Sequence, residues 1–231
     1  MTRSEWNVTT GKGARGYQRK GFVTMRLFQS KFEEVALLLS PTTQTLLDVG
    51  CRDGKLRGYL PPTVKYTGID LTPGSWVTQI CDIEQGIPFP DNSFDAVVAL
   101  DVLEHTDNIW FAFRELVRVA RSQIMVVLPN SYHWKDRLRF LRGKERDKHR
   151  LEPQAIKDRH RWLTSYTTAH AFANHMAEEL GLSLTEAIMV DDHPNWVREL
   201  LVRVLPHNLM SVAMFFLFVK SEQGVLADRV L

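Results

Sequence analysis

The sequence predicts an α/β protein built on a doubly wound, mostly parallel sheet. Three observations carry this. Short apolar runs of strand length recur along the chain, helix-period runs alternate with them, and the first strand ends in a turn of glycine and charge, LLDVGCRDGKL at 46–56.

Each element has its own signal. From Thr24 to Leu39 the positions Met25, Leu27, Phe28, Phe32, Val35, Ala36 and Leu39 follow helical spacing, and Ser40-Pro41 stops the run. TLLDVG at 45–50, VKYTGID at 64–70, FDAVVAL at 94–100 and QIMVVLP at 123–129 are apolar runs bounded by turn residues. That is how buried parallel strands read. Between the last two, a helix from about Asn108 to Ala120 turns Trp110, Phe111, Phe113, Leu116 and Val117 inward. LSLTEAIMV at 182–190 and SVAMFFLFVK at 211–220 are separated by a proline-bearing stretch too short for a full crossover helix, so they close the sheet as an antiparallel pair. WVRELLVRVLP at 196–206 is amphipathic and is expected to pack on those strands. No repeat or low-complexity tail interrupts the pattern.

Composition bounds the partners. With 231 residues the chain fits one domain, and a formal charge of +2 gives no reason for wholesale polyanion binding. Residues 1–22 read as a flexible N-terminal segment and 23–231 as the domain. The start lacks the apolar core of a signal peptide, and the longest apolar run, VAMFFLFV at 212–219, is far below the roughly 20 residues of a membrane span. A cytoplasmic location follows as the expectation, with Cys51 and Cys81 as free thiols.

The glycine turn is the first candidate site. In an open α/β sheet, ligands lie beyond the carboxyl ends of the strands, and the first strand-to-helix turn approaches them most closely. Gly50 and Gly54 let the backbone bend there and admit a ligand without a Cβ in the way. Asp70 ends the next strand about twenty residues on, where a carboxylate can accept from both hydroxyls of a ribose. The same Asp could instead cap the turn into Leu71-Thr72-Pro73. CDIEQ at 81–85 then offers Asp82, and DVLEH at 101–105 follows the fourth strand.

These residues, in this order, resemble the class I S-adenosylmethionine-dependent methyltransferases, in particular the small bacterial type acting on metabolites, quinones, lipids or sugars. The resemblance runs from about Lys31 to Lys220. It implies a Rossmann-like sheet of seven strands with an antiparallel last strand and helices on both faces, and S-adenosyl-L-methionine as cofactor. It further implies that Asp48 and the loop Gly50, Cys51, Arg52 and Gly54 hold the methionine end. Asp70, with its neighbour Leu71, would hold the ribose, and Asp82 with Ile83 the adenine edge. Asp101 or Leu100 would lie beneath the sulfonium. The turn departs from the family's Gly-Cys-Gly-x-Gly at Arg52, so either the loop differs or Arg52 faces the cofactor carboxylate; the former is the plainer expectation.

For the chemistry, His105, with an ordinary pKa near 6.5, is a candidate base beside Glu104. Asp101, Glu104 and His105 can also converge on a cation. His160 resembles the fourth ligand of small-RNA 3′-terminal ribose methyltransferases. A divalent metal is thus admissible but not the favoured expectation. Ser131 to Arg161 carries eleven Lys and Arg against five Asp and Glu, an insertion that suits an anionic acceptor as well as a solvated lid. The expected activity is O-methylation of a small-molecule, lipid or glycolipid-type acceptor, with nucleic acid disfavoured. The alternatives are an NAD-dependent dehydrogenase, which leaves Asp82 unexplained, and a non-catalytic cofactor-binding module. The acceptor and the oligomeric state lie beyond the sequence.

Overall fold

The structure is a computed structural model that describes residues 6–11, 14–19, 23–26, 30–149, 153, 159–189, 201 and 204–220. Its centre is a parallel array: β4 (Thr45–Val49), β5 (Lys65–Asp70), β6 (Gln79–Ile80), β7 (Phe94–Leu100) and β8 (Ala120–Pro129). Across the sheet these run β6, β5, β4, β7, β8, so chain order reverses between β4 and its neighbour β7. β9 (Leu182–Met189) and β10 (Ala213–Lys220) complete the set of seven, with β10 wedged antiparallel between β8 and β9. The closing antiparallel pair read from the sequence is therefore present.

Beyond β9 the sheet continues through β1 (Trp6–Gly11), β2 (Ala14–Arg19) and β3 (Val23–Arg26), giving ten strands in all. The sequence reading places no strand there, and it begins the first helix at Thr24. In the structure, β-branched Val23 and Thr24 belong to β3, which pairs parallel with β9. The helix α1 (Lys31–Leu38) starts only where Ser30 offers its Oγ to the Phe32 amide, 3.2 Å away.

Alternation along each strand sorts side chains onto two cores. Val97 and Ala99 of β7, with Ile124, Val126 and Leu128 of β8, join Phe216 and Phe218 on one face. That face is covered by α2 (Ile109–Val119) and α4 (Tyr166–Glu179). Leu46, Val98, Met125 and Phe215 face the other way against Val35 of α1. α2 begins at the N-cap Asn108 as the sequence suggests, with its side chain accepting from the Phe111 amide at 3.1 Å. α3 (Trp134–Leu141) lies inside the basic insertion, and a single turn, α5 (His207–Met210), precedes β10. Residues 190–200 and 202–203, most of the amphipathic stretch noted above, lie outside the described residues. Among the described residues no helix is long and apolar enough to cross a membrane, and Cys51 and Cys81 are free thiols.

Arg118 of α2 fastens the loop before β7. Its guanidinium donates to Glu115, to Asp91, and to the carbonyls of Ile87 and Phe89 at 2.7–2.8 Å. The first core is keyed by Phe113, fully buried and edge-on to Phe218 at a centroid distance of 4.8 Å. Phe113→Ala is expected to cost about 3–5 kcal/mol through the cavity it leaves. Urea unfolding followed by circular dichroism would show a lower midpoint at unchanged slope.

Candidate active site

The turn after β4 is held by the end of β5. The amides of Gly50 and Cys51 both donate to the Ile69 carbonyl, at 2.8 and 3.1 Å, and the Arg52 amide donates to the Asp70 carboxylate at 3.0 Å. Gly50 has φ +70°, and a Cβ there would lie 2.4 Å from the Val102 side chain. Gly54 has φ +68°, and its Cβ would meet the Trp76 ring at 2.5 Å. Arg52 is the informative residue. It adopts φ +49°, the conformation of the glycine it replaces. The loop therefore holds a non-glycine residue in the left-handed region, at a cost on the order of 1 kcal/mol.

Asp70 takes the capping role that was one of the two readings the sequence allowed it. Besides Arg52, it accepts from the Thr72 amide and hydroxyl, both at 2.9 Å, so it caps the turn. It also lines a cavity of about 210 Å³ with Gly50, Leu71, Asp82 and Ile83. Asp82 caps the short turn beginning at Ile83 by accepting from the Glu84 amide at 3.0 Å. A second cavity of about 230 Å³ brings together Asp48, Gly50, Cys51, Arg52, Leu100 and Asp101. Of the residues expected to hold a cofactor, Gly54 alone lines neither cavity; it sits under Trp76.

Asp48 is buried at the floor, and the Tyr66 hydroxyl donates to it at 2.8 Å. Burial pushes its carboxyl up to about 7, against the opposing pull of Tyr66 and Lys31. The neighbouring Cys51 thiol is pushed up to about 11, by burial first and by Asp48 second. Tyr66 was not legible as a site residue. Its register supplies the signal: Asp48 faces Gly68 across the β4–β5 pair, so Tyr66 is its diagonal neighbour on the same face.

Asp101 stands where the spaces meet. It lines both cavities and a third of about 590 Å³ that lies toward the basic insertion. Its φ is +57°, and its carboxylate is ion-paired with Lys31 at the start of α1. Lys31 carried no sequence signal, being one cation in the first turn of an amphipathic helix.

Glu104, His105 and His160 form a cluster at the same rim. Glu104 is fully buried, and among the described residues neither of its oxygens has a hydrogen-bond partner. Its Oε1 lies 3.9 Å from His105 Nε2 and 3.8 Å from His160 Nε2. Burial, reinforced by Asp101, raises the Glu104 carboxyl to about 8, and burial lowers His160 to about 3, helped by His105 and Lys148. At neutral pH Glu104 therefore holds a proton and His160 does not, so their contact joins neutral groups. His105 Nδ1 donates to the Arg159 carbonyl at 3.0 Å, leaving Nε2 as the lone-pair nitrogen of its neutral form. His105 faces the 210 Å³ cavity, while Glu104 and His160 face the 590 Å³ one.

The donor atoms of Glu104, His105 and His160 lie within 4.8 Å of one another, a set whose carboxylate and imidazole chemistry fits a divalent transition metal. Asp101, which the spacing also offered, is not in that set; its carboxylate is ion-paired with Lys31.

Residues 47–128 match the family model described as a methyltransferase domain. That segment spans the glycine turn, Asp70, Asp82 and the Asp101–His105 rim. No curated protein matches the chain. Among solved structures, the methyltransferase domain of a bacterial protein named CtHen1-CN is 19% identical, with a TM-score of 0.53 over 80% of this chain and 95% of that one. An S-adenosylmethionine-dependent methyltransferase of Thermotoga maritima, described as a possible histamine N-methyltransferase, is 15% identical with a TM-score of 0.53 over 84% and 90%. Magnesium protoporphyrin IX methyltransferase of Synechocystis PCC 6803, solved with SAH, is 15% identical with the same TM-score over 84% and 83%. At such identities these likenesses establish the fold. The matched segment covers about a third of the chain, and the solved likenesses share the fold around it.

The raised carboxyl of Asp48 makes folding pH-dependent. Between its unfolded value near 4 and its folded value of about 7, the folded chain binds the extra proton. Its contribution to stability is thus present at acid pH and is lost as pH rises through about 7. Asp48→Asn is expected to flatten that decline by a few kcal/mol, on the order of 2–4. Urea midpoints of both forms at a series of pH values between 4 and 8 would measure it.

Proposed function

We propose that this chain is an S-adenosylmethionine-dependent methyltransferase that carries out O-methylation of a small-molecule, lipid or glycan acceptor bearing an anionic group. The observation that carries the reading is the position of Asp101, which lines the 210 and 230 Å³ hollows as well as the 590 Å³ cavity. A donor and an acceptor placed in those spaces meet at this residue.

Bound there, the cofactor supplies an electrophilic methyl group on a sulfonium. The chain's own residues do the rest. Asp48 with Cys51, Arg52 and the Gly50 turn holds the methionine end, and Asp70 beside Leu71 takes the ribose hydroxyls. Asp82 with Ile83 borders the adenine, and Leu100 and Asp101 lie beneath the sulfonium. Holding the acceptor oxygen in line with the methyl group is worth up to about 7–11 kcal/mol, so positioning carries most of the rate. A hydroxyl acceptor must also lose its proton. His105, whose Nε2 carries the lone pair of its neutral form, accepts it, while His160, unprotonated in the cavity wall beside Glu104, accepts a hydrogen bond from the acceptor and orients it. Arg139, Arg146 and Lys148 line the same cavity and supply the charge that an anionic acceptor would need. A divalent cation held by Glu104, His105 and His160 would polarise the acceptor oxygen at the same place.

Incubation with methyl-labelled cofactor and fractionated extract tests the reading; label is expected in a lipid, glycan or small-molecule fraction, as a methyl ether or ester. Label only on nitrogen, or in none of these fractions, would overturn it. His160→Ala is expected to lower kcat by about 10²–10³ while calorimetric cofactor affinity stays within about twofold. An unchanged kcat removes His160 from the mechanism.

A further inference from the structure

α3 is built inside out for a helix on a water-soluble surface. None of its eight residues is buried. Its polar Asp136 and Arg139 turn inward and line the 590 Å³ cavity. Trp134, Leu138 and Leu141 are spaced four and three residues apart, so they form one stripe along the helix. That stripe faces solvent, at 42%, 37% and 85% exposure. Tyr132 and Phe140 add exposed rings nearby.

Cations flank the stripe. Lys135, Arg137 and Arg142 are exposed, and Lys144 follows past the helix end. The Lys135 ammonium sits 5.8 Å from the Trp134 ring centroid, and Arg137 Nε donates to the Tyr132 carbonyl at 2.7 Å. Over residues 131–149 there are seven Lys and Arg against three Asp and Glu, in a chain whose whole formal charge is only +2.

We propose that α3 docks on an anionic membrane surface, with Trp134, Leu138 and Leu141 entering the headgroup boundary and Lys135, Arg137, Arg142 and Lys144 meeting anionic headgroups. An apolar stripe bordered by Lys and Arg is the pattern of a helix lying in a bilayer interface. With a length of about 12 Å, the helix is suited to lying on a membrane and far too short to span one. Single-stranded nucleic acid fits less well, because two of the three stripe residues are leucines, which offer a base no ring to stack on. The helix's inner face borders the cavity assigned to the acceptor, so an acceptor carried in the bilayer would be presented beside that cavity. The docking itself does not depend on methyl transfer.

Co-sedimentation of the full chain with phosphatidylcholine vesicles, with and without phosphatidylserine, at low salt, tests the proposal. Binding is expected to the phosphatidylserine vesicles, to weaken with salt, and to fall about tenfold or more in a Leu138→Gln, Leu141→Gln double variant. Leu141→Gln alone, at a position 85% exposed and therefore safe for folding, is expected to give a several-fold loss. No binding to anionic vesicles overturns the proposal. So does binding that both variants retain in full, or a stripe whose loss abolishes capture of a single-stranded RNA oligomer but not of vesicles. Cofactor affinity of the unsubstituted chain keeps the readings apart: no vesicle binding with cofactor bound fails the docking surface alone, and vesicle binding with no cofactor bound fails the methyltransferase assignment alone.

Discussion

The site depends on a small set of backbone bonds between the ends of two adjacent strands. The amides of Gly50 and Cys51 share the Ile69 carbonyl, and the amide of Arg52 reaches the Asp70 carboxylate. A turn of this shape would otherwise leave three donors without partners where the chain leaves the sheet. Because β5 satisfies them, the turn is fixed to the strand that also carries Asp70, and the hollows on either side inherit that rigidity. The positive φ of Arg52 shows the strength of the constraint: the surroundings hold a non-glycine residue in a conformation it disfavours.

The floor of the site is built from charges that folding has removed from water. Asp48 and Glu104 are both nearly inaccessible, and both have carboxyls pushed toward neutrality by burial. Tyr66 offers Asp48 one hydrogen bond, whereas Glu104 has none among the described residues. Desolvation of this kind opposes stability, so its persistence beside the 230 and 590 Å³ cavities fits a site arranged for chemistry. Lys31 adds to the arrangement by reaching from the start of α1 to Asp101, coupling the helix on one face of the sheet to the end of β7.

Much of this architecture was legible in the sequence, because strands buried on both faces leave continuous apolar runs with turn residues at their ends. TLLDV, KYTGID and FDAVVAL fall almost where they were read, as does the β9–β10 pair. Asp70 and Asp82 were legible for a related reason, since in this fold the tips of parallel strands are where a ligand sits. What the sequence hid depends on contacts between distant segments. The strand at Val23–Arg26 was masked by residues whose spacing also suits a helix, and only pairing with β9 decides between them. The roles of Lys31 and Tyr66 come from register and from packing across the sheet. Asp101 stands apart from the Glu104, His105 and His160 set with its carboxylate paired to a lysine, which no spacing rule reveals.

The left-handed backbone at Asp101 has an implication for any attempt to harden this protein by engineering. Glycine would relax the main chain at that point, and by the usual logic of loop optimisation the change should raise thermal resistance. It would also discard the counter-charge of Lys31 and a carboxylate that borders all three hollows. On the proposed placement of donor and acceptor, relief of backbone strain and retention of the Lys31 ion pair pull against each other at a single position, and a screen that selects on melting temperature alone is blind to turnover.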